Sequence, residues 1–117
     1  HDADGFVFAS TCENMPNILL EAMAAGLPIA CSERRPMVDI LGEGSVFFDP
    51  LRPDSISRAI ASMVQDGDKR TRIAHTAYER AAEYKWGHCA AETYCFLAKC
   101  AGTTSVYDAV DVRDSRL

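Results

Sequence analysis

Three short apolar, β-prone runs, each followed by a helix signal, constrain this chain more than anything else in it. They are Gly5-Phe-Val-Phe-Ala9, Leu27-Pro-Ile-Ala-Cys31 and Ser45-Val-Phe-Phe48, the last closed by Asp49-Pro50. Runs of this length bounded by polar residues, Gly and Pro read as strands rather than helices. Strands that alternate with helices need crossover connections, and right-handed crossovers give a parallel sheet. The fold class is therefore α/β, with three short parallel strands and helical crossovers.

The helices follow from their punctuation. Pro16 suits a first helical position, where its missing N–H would be unpaired anyway, so a helix is expected over residues 16–25 with Gly26 as its stop. Met37 to Leu41 gives a brief helical turn ended by Gly42. A third helix opens at Pro53 with Asp54 in its first turn, carries Ile56, Ile60 and Met63 or Val64 inward, and stops at Gly67. Asp68 is expected to cap the fourth, which turns Ile73, Ala74, Ala77, Tyr78 and Ala81 inward and ends near Tyr84. Trp86 to Cys100 forms a fifth, with Ala90, Tyr94, Leu97 and Ala101 on one face. Residues 1–101 then make one domain, and the polar stretch 102–117, without sustained periodicity, reads as a disordered tail.

Composition removes several classes of function. A net charge of -5 over 117 residues offers no electrostatic footprint for a polynucleotide, so no nucleic-acid partner is expected. No apolar run reads as long enough to span a bilayer or as a secretory leader, so neither a transmembrane segment nor a leader is expected. Five scattered cysteines without a CxxC pair suit reduced thiols in a cytoplasmic protein. His88 with Cys89, Cys95 and Cys100 spreads around a helix rather than along one face, and Asp2-Ala-Asp4 lacks a third oxygen ligand, so no metal is expected. His75 and His88 have no neighbouring nucleophile and acid of the kind a hydrolase needs. At this length the chain is short for a complete doubly wound unit and reads as a fragment.

The chemistry is concentrated between the first strand and the second helix signal. Glu13 falls in the loop before Pro16. Glu21 falls in a helix whose other residues from Ile18 to Ala25 are Ile, Leu, Ala or Met, with no Lys or Arg within four positions. A carboxylate buried in such surroundings needs a partner, whereas on a half-exposed helix it needs none. Glu13 alone could equally be an acid favoured by the helix dipole.

The whole block Phe6-Val-Phe-Ala-Ser-Thr-Cys-Glu-Asn-Met-Pro-Asn-Ile-Leu-Leu-Glu-Ala-Met-Ala-Ala-Gly-Leu-Pro28 resembles the signature of the retaining, nucleotide-sugar-dependent glycosyltransferases of group 1 (family 4), with its two glutamates separated by seven residues. Agreement continues through Cys31-Ser32, Arg34, Pro36-Met37, Leu41-Gly42 and Phe48-Asp49-Pro50, and less specifically to Tyr84-Lys-Trp86. The resemblance implies the two-domain GT-B architecture. The chain then corresponds to the second half of its C-terminal, donor-binding domain, a partial Rossmann-like unit, with the first half and the N-terminal domain missing.

The resemblance also implies roles. Glu13 would accept hydroxyls of the donor sugar and be the catalytic residue. Glu21 would accept the ribose hydroxyls, and the amides of Asn14, Met15, Asn17 and Ile18 would face the diphosphate. A carboxylate can take two hydroxyl donors at once, and an open helix start favours anions. The implied donor is a UDP- or GDP-linked sugar, a substrate rather than a cofactor, and the acceptor is a glycan, a lipid or lipid-linked acceptor, or another hydroxyl. The implied enzyme is a retaining hexosyltransferase of polysaccharide biosynthesis, placed in the cytoplasm or peripherally at the inner membrane face. Asn14 where the family more often has Gly, Ala9 at a frequent Pro position and Arg35 at a frequent Gly position leave the donor open. A noncatalytic module of this fold and a GT-B sugar-nucleotide epimerase are the alternatives. The chain alone is expected to be inactive, with its first strand at an unpaired edge inviting association.

Overall fold

A computed structural model of the chain describes residues 2–102. The element order is β1 (Phe6–Phe8), α1 (Asn17–Ala24), β2 (Ile29–Ser32), α2 (Met37–Leu41), β3 (Val46–Phe48), α3 (Pro53–Gln65), α4 (Gly67–Ala81) and α5 (Trp86–Cys100). The three strands form one parallel sheet in the order β1-β2-β3, with Phe8 opposite Cys31 and Ser32 opposite Phe48. This is the α/β architecture expected from the alternation of strands and helices. β1 lies at an edge, as anticipated, and its Phe6 and Phe8 rings stack at 5.9 Å.

The chain divides into two compact units, His1–Glu83 and a second one from Tyr84 onward. The first holds the sheet. Every residue of β2 is buried, as befits the central strand of a parallel sheet covered on both faces. Ala30, Phe48, Ala59, Met63 and Ile73 form a core cluster in which β2, β3, α3 and α4 meet, with Val46 and Ile56 packed against it. α4 also packs on α1 and α2, so a single helix braces the crossovers that follow β1 and β2. Its approach is close at Gly44, where a Cβ would lie 2.9 Å from the Ala77 backbone nitrogen. Arg80 of the same helix donates from Nε to Ile40 O (2.7 Å) and from Nη2 to Asp39 O (2.8 Å), satisfying carbonyls at the end of α2.

Several boundaries and faces differ from the sequence expectation. Pro16 has ψ 86° and precedes α1 rather than opening it, while its carbonyl accepts from Leu19 N (2.9 Å) and Leu20 N (3.3 Å). Gly26, at φ 70°, does end the segment, where left-handed backbone suits a residue without Cβ. Asp66, not Asp68, caps α4: its carboxylate accepts from Lys69 N at 2.9 Å, and Gly67 opens that helix instead of terminating the previous one. α4 ends at Ala81 rather than near Tyr84, and Tyr78 is exposed although Ile73 and Ala77 are buried. In the second unit, the α5 face expected to pack is the outward one. Ala90, Tyr94 and Leu97 are exposed and Ala98 is buried.

The cap assignment is testable by itself. Asp66→Ala should destabilise the chain by about 1 kcal/mol, the usual cost of losing an N-cap acceptor, whereas Asp68→Ala should cost only the weaker dipole term. Urea denaturation of the two variants gives the comparison, and equal midpoints would show that the Asp66 bond contributes nothing.

Candidate functional site

β1, β2 and β3 run parallel, so the segments leaving Phe8, Ser32 and Phe48 emerge at the same sheet edge. In open parallel sheets this carboxyl edge is where ligands bind. The longest of these connections is the stretch 9–16 between β1 and α1, which carries Glu13, Asn14 and Met15. Ser32, the last residue of β2 and fully buried, donates from Oγ to Ser10 O at 2.6 Å. Ser10 Oγ in turn donates to Cys12 O at 3.3 Å. The loop is thus tied to the central strand up to the residue before Glu13.

α1 is packed on one side only. Leu19, Ala22 and Met23 are buried, and α1 packs on α4. Helical periodicity puts Ile18, Glu21 and Ala25 on the opposite face, and all three are exposed. Glu21 is therefore not the buried carboxylate that its apolar neighbours suggested, because Ile18, Ala24 and Ala25 beside it are themselves exposed. Asn14, Met15 and Asn17 are exposed as well, while Glu13 is half-buried. Among the described residues neither the Glu13 nor the Glu21 carboxylate has a hydrogen bond or ion pair.

The start of α1 is open. No side chain caps it and no acid lies in its first turn. With Leu19 and Leu20 amides directed to Pro16 O, the N–H groups of Asn17 and Ile18 have no partner among the described residues, nor do those of Asn14 and Met15. Four backbone donors are thus presented along the loop and helix start that lie between the two carboxylates in the chain, at the positive end of a helix dipole. An anion can be held by such donors while a carboxylate on each side accepts hydroxyls. Asn17 and Glu21, four residues apart on α1, are separated by about 6 Å along its axis.

The cations nearest in the chain are already engaged. Arg34 Nη2, after β2, lies 3.4 Å from Asp49 Oδ1, after β3, and that oxygen also accepts from Leu51 N. Arg35 pairs with Asp39 at 3.6 Å on the surface. Ser32 and Ser10 escaped the sequence reading as site residues. A serine pair separated by 22 positions carries no periodic signal, and only the sheet register brings the two together.

Comparison with known proteins identifies the family. The family of glycosyl transferases group 1 matches residues 1–80, and the chain belongs to that family. It is similar to the O-antigen chain mannosyltransferase B of Escherichia coli, with 30% identity over 88 residues, covering 75% of this chain and 23% of that protein. It is also similar to the sulfoquinovosyl transferase of Arabidopsis thaliana, with 27% identity over 88 residues, covering 71% of this chain and 17% of the relative. The chain thus spans less than a quarter of the length of these curated relatives. Among solved structures it resembles sucrose-phosphate synthase from Thermosynechococcus elongatus, with a TM-score of 0.75 at 19% identity over 87% of this chain and 26% of that one. That likeness carries the fold, the α/β half-domain of a GT-B architecture.

Proposed function

We propose that the chain is the donor-binding part of a retaining glycosyltransferase that moves a hexose from a UDP- or GDP-linked sugar to a glycan, lipid-linked or other hydroxyl acceptor. The observation that carries this reading is the pair of unpartnered carboxylates, Glu13 and Glu21, on either side of an uncapped helix start at the carboxyl edge of the sheet. Glu21 accepts the ribose hydroxyls. The amides of Asn14, Met15, Asn17 and Ile18 take the diphosphate. Glu13 accepts hydroxyls of the sugar and, nearest the reacting carbon, is the catalytic residue. Charge-assisted bonds of this kind are about twice as strong as neutral ones.

Catalysis in this scheme is positioning and charge stabilisation. Breaking the bond from the anomeric carbon to the diphosphate leaves negative charge on the leaving oxygens, and fixed amide dipoles are aimed at that charge without reorganisation. The remaining cations and the acceptor site belong to sequence beyond these residues, including an N-terminal domain, so this chain alone does not turn over. Relatives are named as an O-antigen chain mannosyltransferase and a lipopolysaccharide core biosynthesis glycosyltransferase, which supports a role in polysaccharide biosynthesis; the location proposed with it is the cytoplasm or the inner membrane face. Among the described residues no helix is long and apolar enough to cross a membrane.

The test is equilibrium binding of nucleoside diphosphates and their sugars to the intact protein that carries this segment. Glu21→Ala should weaken the nucleotide with and without sugar by about tenfold or more, the value of a charge-assisted hydrogen bond. Glu13→Ala should weaken only the sugar-bearing ligand. Unchanged affinity in both variants would defeat the assignment.

A further inference from the structure

We infer that Ser32 is a positioning residue for the donor sugar, acting through Ser10 on the loop that carries Glu13. This rests on the reading of Glu13 given above and adds to it the element that fixes its place. Ser32 is the one polar side chain among the buried residues described, at 0% exposure, and it stands where β2 ends. A serine buried there without a partner would be a liability; instead its hydroxyl crosses to the neighbouring connection and donates to Ser10 O at 2.6 Å.

On the far side of Glu13 the loop is next anchored at Pro16, which is buried and accepts from Leu19 N and Leu20 N. Among the described residues, the backbone amides from Asn14 to Ile18 are unpaired or, at Pro16, absent, and the Glu13 carboxylate has no partner. Two hydroxyl bonds in series, Ser32 to Ser10 and Ser10 to Cys12, therefore carry the order of the sheet to the residue adjoining Glu13. Ser32 itself is held by its pairing with Phe48 and by the full burial of β2, so its Oγ is a fixed point rather than a mobile one. Glu21 owes nothing to this chain of bonds, because α1 holds it by packing Leu19 and Met23.

That division gives the inference a signature that general destabilisation lacks. In the intact protein, Ser32→Ala should weaken the nucleotide sugar about tenfold and the nucleoside diphosphate clearly less, since the diphosphate is also held by the Asn17 and Ile18 amides on α1 whereas the sugar depends on Glu13. Ser10→Ala, which leaves the buried serine and its acceptor in place and removes only the bond to Cys12, should give a smaller loss of about threefold with the same selectivity. It decides the matter should Ser32→Ala fail to fold. Glu13→Ala is the reference. If that variant loses the sugar increment while both serine variants retain it, or lose affinity for both ligands equally, the role of Ser32 is overturned and the site reading stands. If Glu13→Ala keeps the sugar increment, the site reading falls and the positioning role falls with it.

Discussion

Phe48→Ala should lower the stability of the chain by about 3–5 kcal/mol, the range for removing a large aromatic from a packed core. Phe48 is 1% exposed at the end of β3 and touches the point where the sheet meets both long helices of the first unit, through Ala30, Ala59, Met63 and Ile73. Two of those neighbours are alanines, which cannot swing in to fill the space, so the cavity persists and its cost adds to the lost burial. Phe47, adjacent in sequence, points to the other face and is only half-buried, so Phe47→Ala should cost clearly less. For a domain whose whole stability is about 5–15 kcal/mol, the first variant removes a large fraction of it and the second does not. Urea denaturation of both variants reads this directly. A loss below about 1 kcal/mol for Phe48→Ala would mean that β3 is not anchored by this side chain.

The strands were legible because each is a compact apolar run between turn residues, and β2 in particular is apolar or small throughout, as a doubly covered strand requires. The helix following β1 was legible from Pro16 and Gly26 to within a residue. What composition could not supply is which side of a helix finds a neighbour. Glu21 sits among Ala, Leu, Ile and Met, yet α1, which packs on α4, buries only Leu19, Ala22 and Met23, and Glu21 is in solvent. The same limit applies to α5, whose aromatic residues are exposed while the small Ala98 is buried.

The boundary between α3 and α4 failed for a different reason. Asp66-Gly67-Asp68 offers two equivalent acids around a glycine, and the cap is decided by which carboxylate reaches an amide three residues on. The site divides similarly. The carboxylates and amides proposed for it lie close together in sequence, within the family block. The serines beneath the loop were not readable, because their bond spans strands and depends on register. Local chemistry is written locally, and support for it is written in the fold.

Cys31 should make the chain lose stability steeply in alkali while remaining inert to thiol reagents below that range. It lies in the middle of β2 at 0% exposure, paired with Phe8 on one side and Phe47 on the other. Burial pushes its thiol from an ordinary 9.0 up to about 12, only partly opposed by hydrogen bonds involving Ser32. The folded state therefore keeps the proton through a range in which the unfolded chain releases it. Between those values the unfolded state binds fewer protons, so stability falls as pH rises. The contribution is fully present below pH 9 and is lost as pH climbs toward 12. The slope is about 1.4 kcal/mol per pH unit, up to about 4 kcal/mol across the window. Cys31→Ala should be less stable at pH 8 through its small cavity, but its stability should fall more slowly above pH 9, so the two curves converge, the other titrating groups being common to both. Denaturant midpoints from pH 8 to 10.5 test this, and curves that stay parallel would sink it. Alkylation at pH 8 followed by peptide mapping should modify the exposed Cys12, Cys89 and Cys100 and spare Cys31, since the thiolate is the nucleophile and this thiol is both neutral and covered.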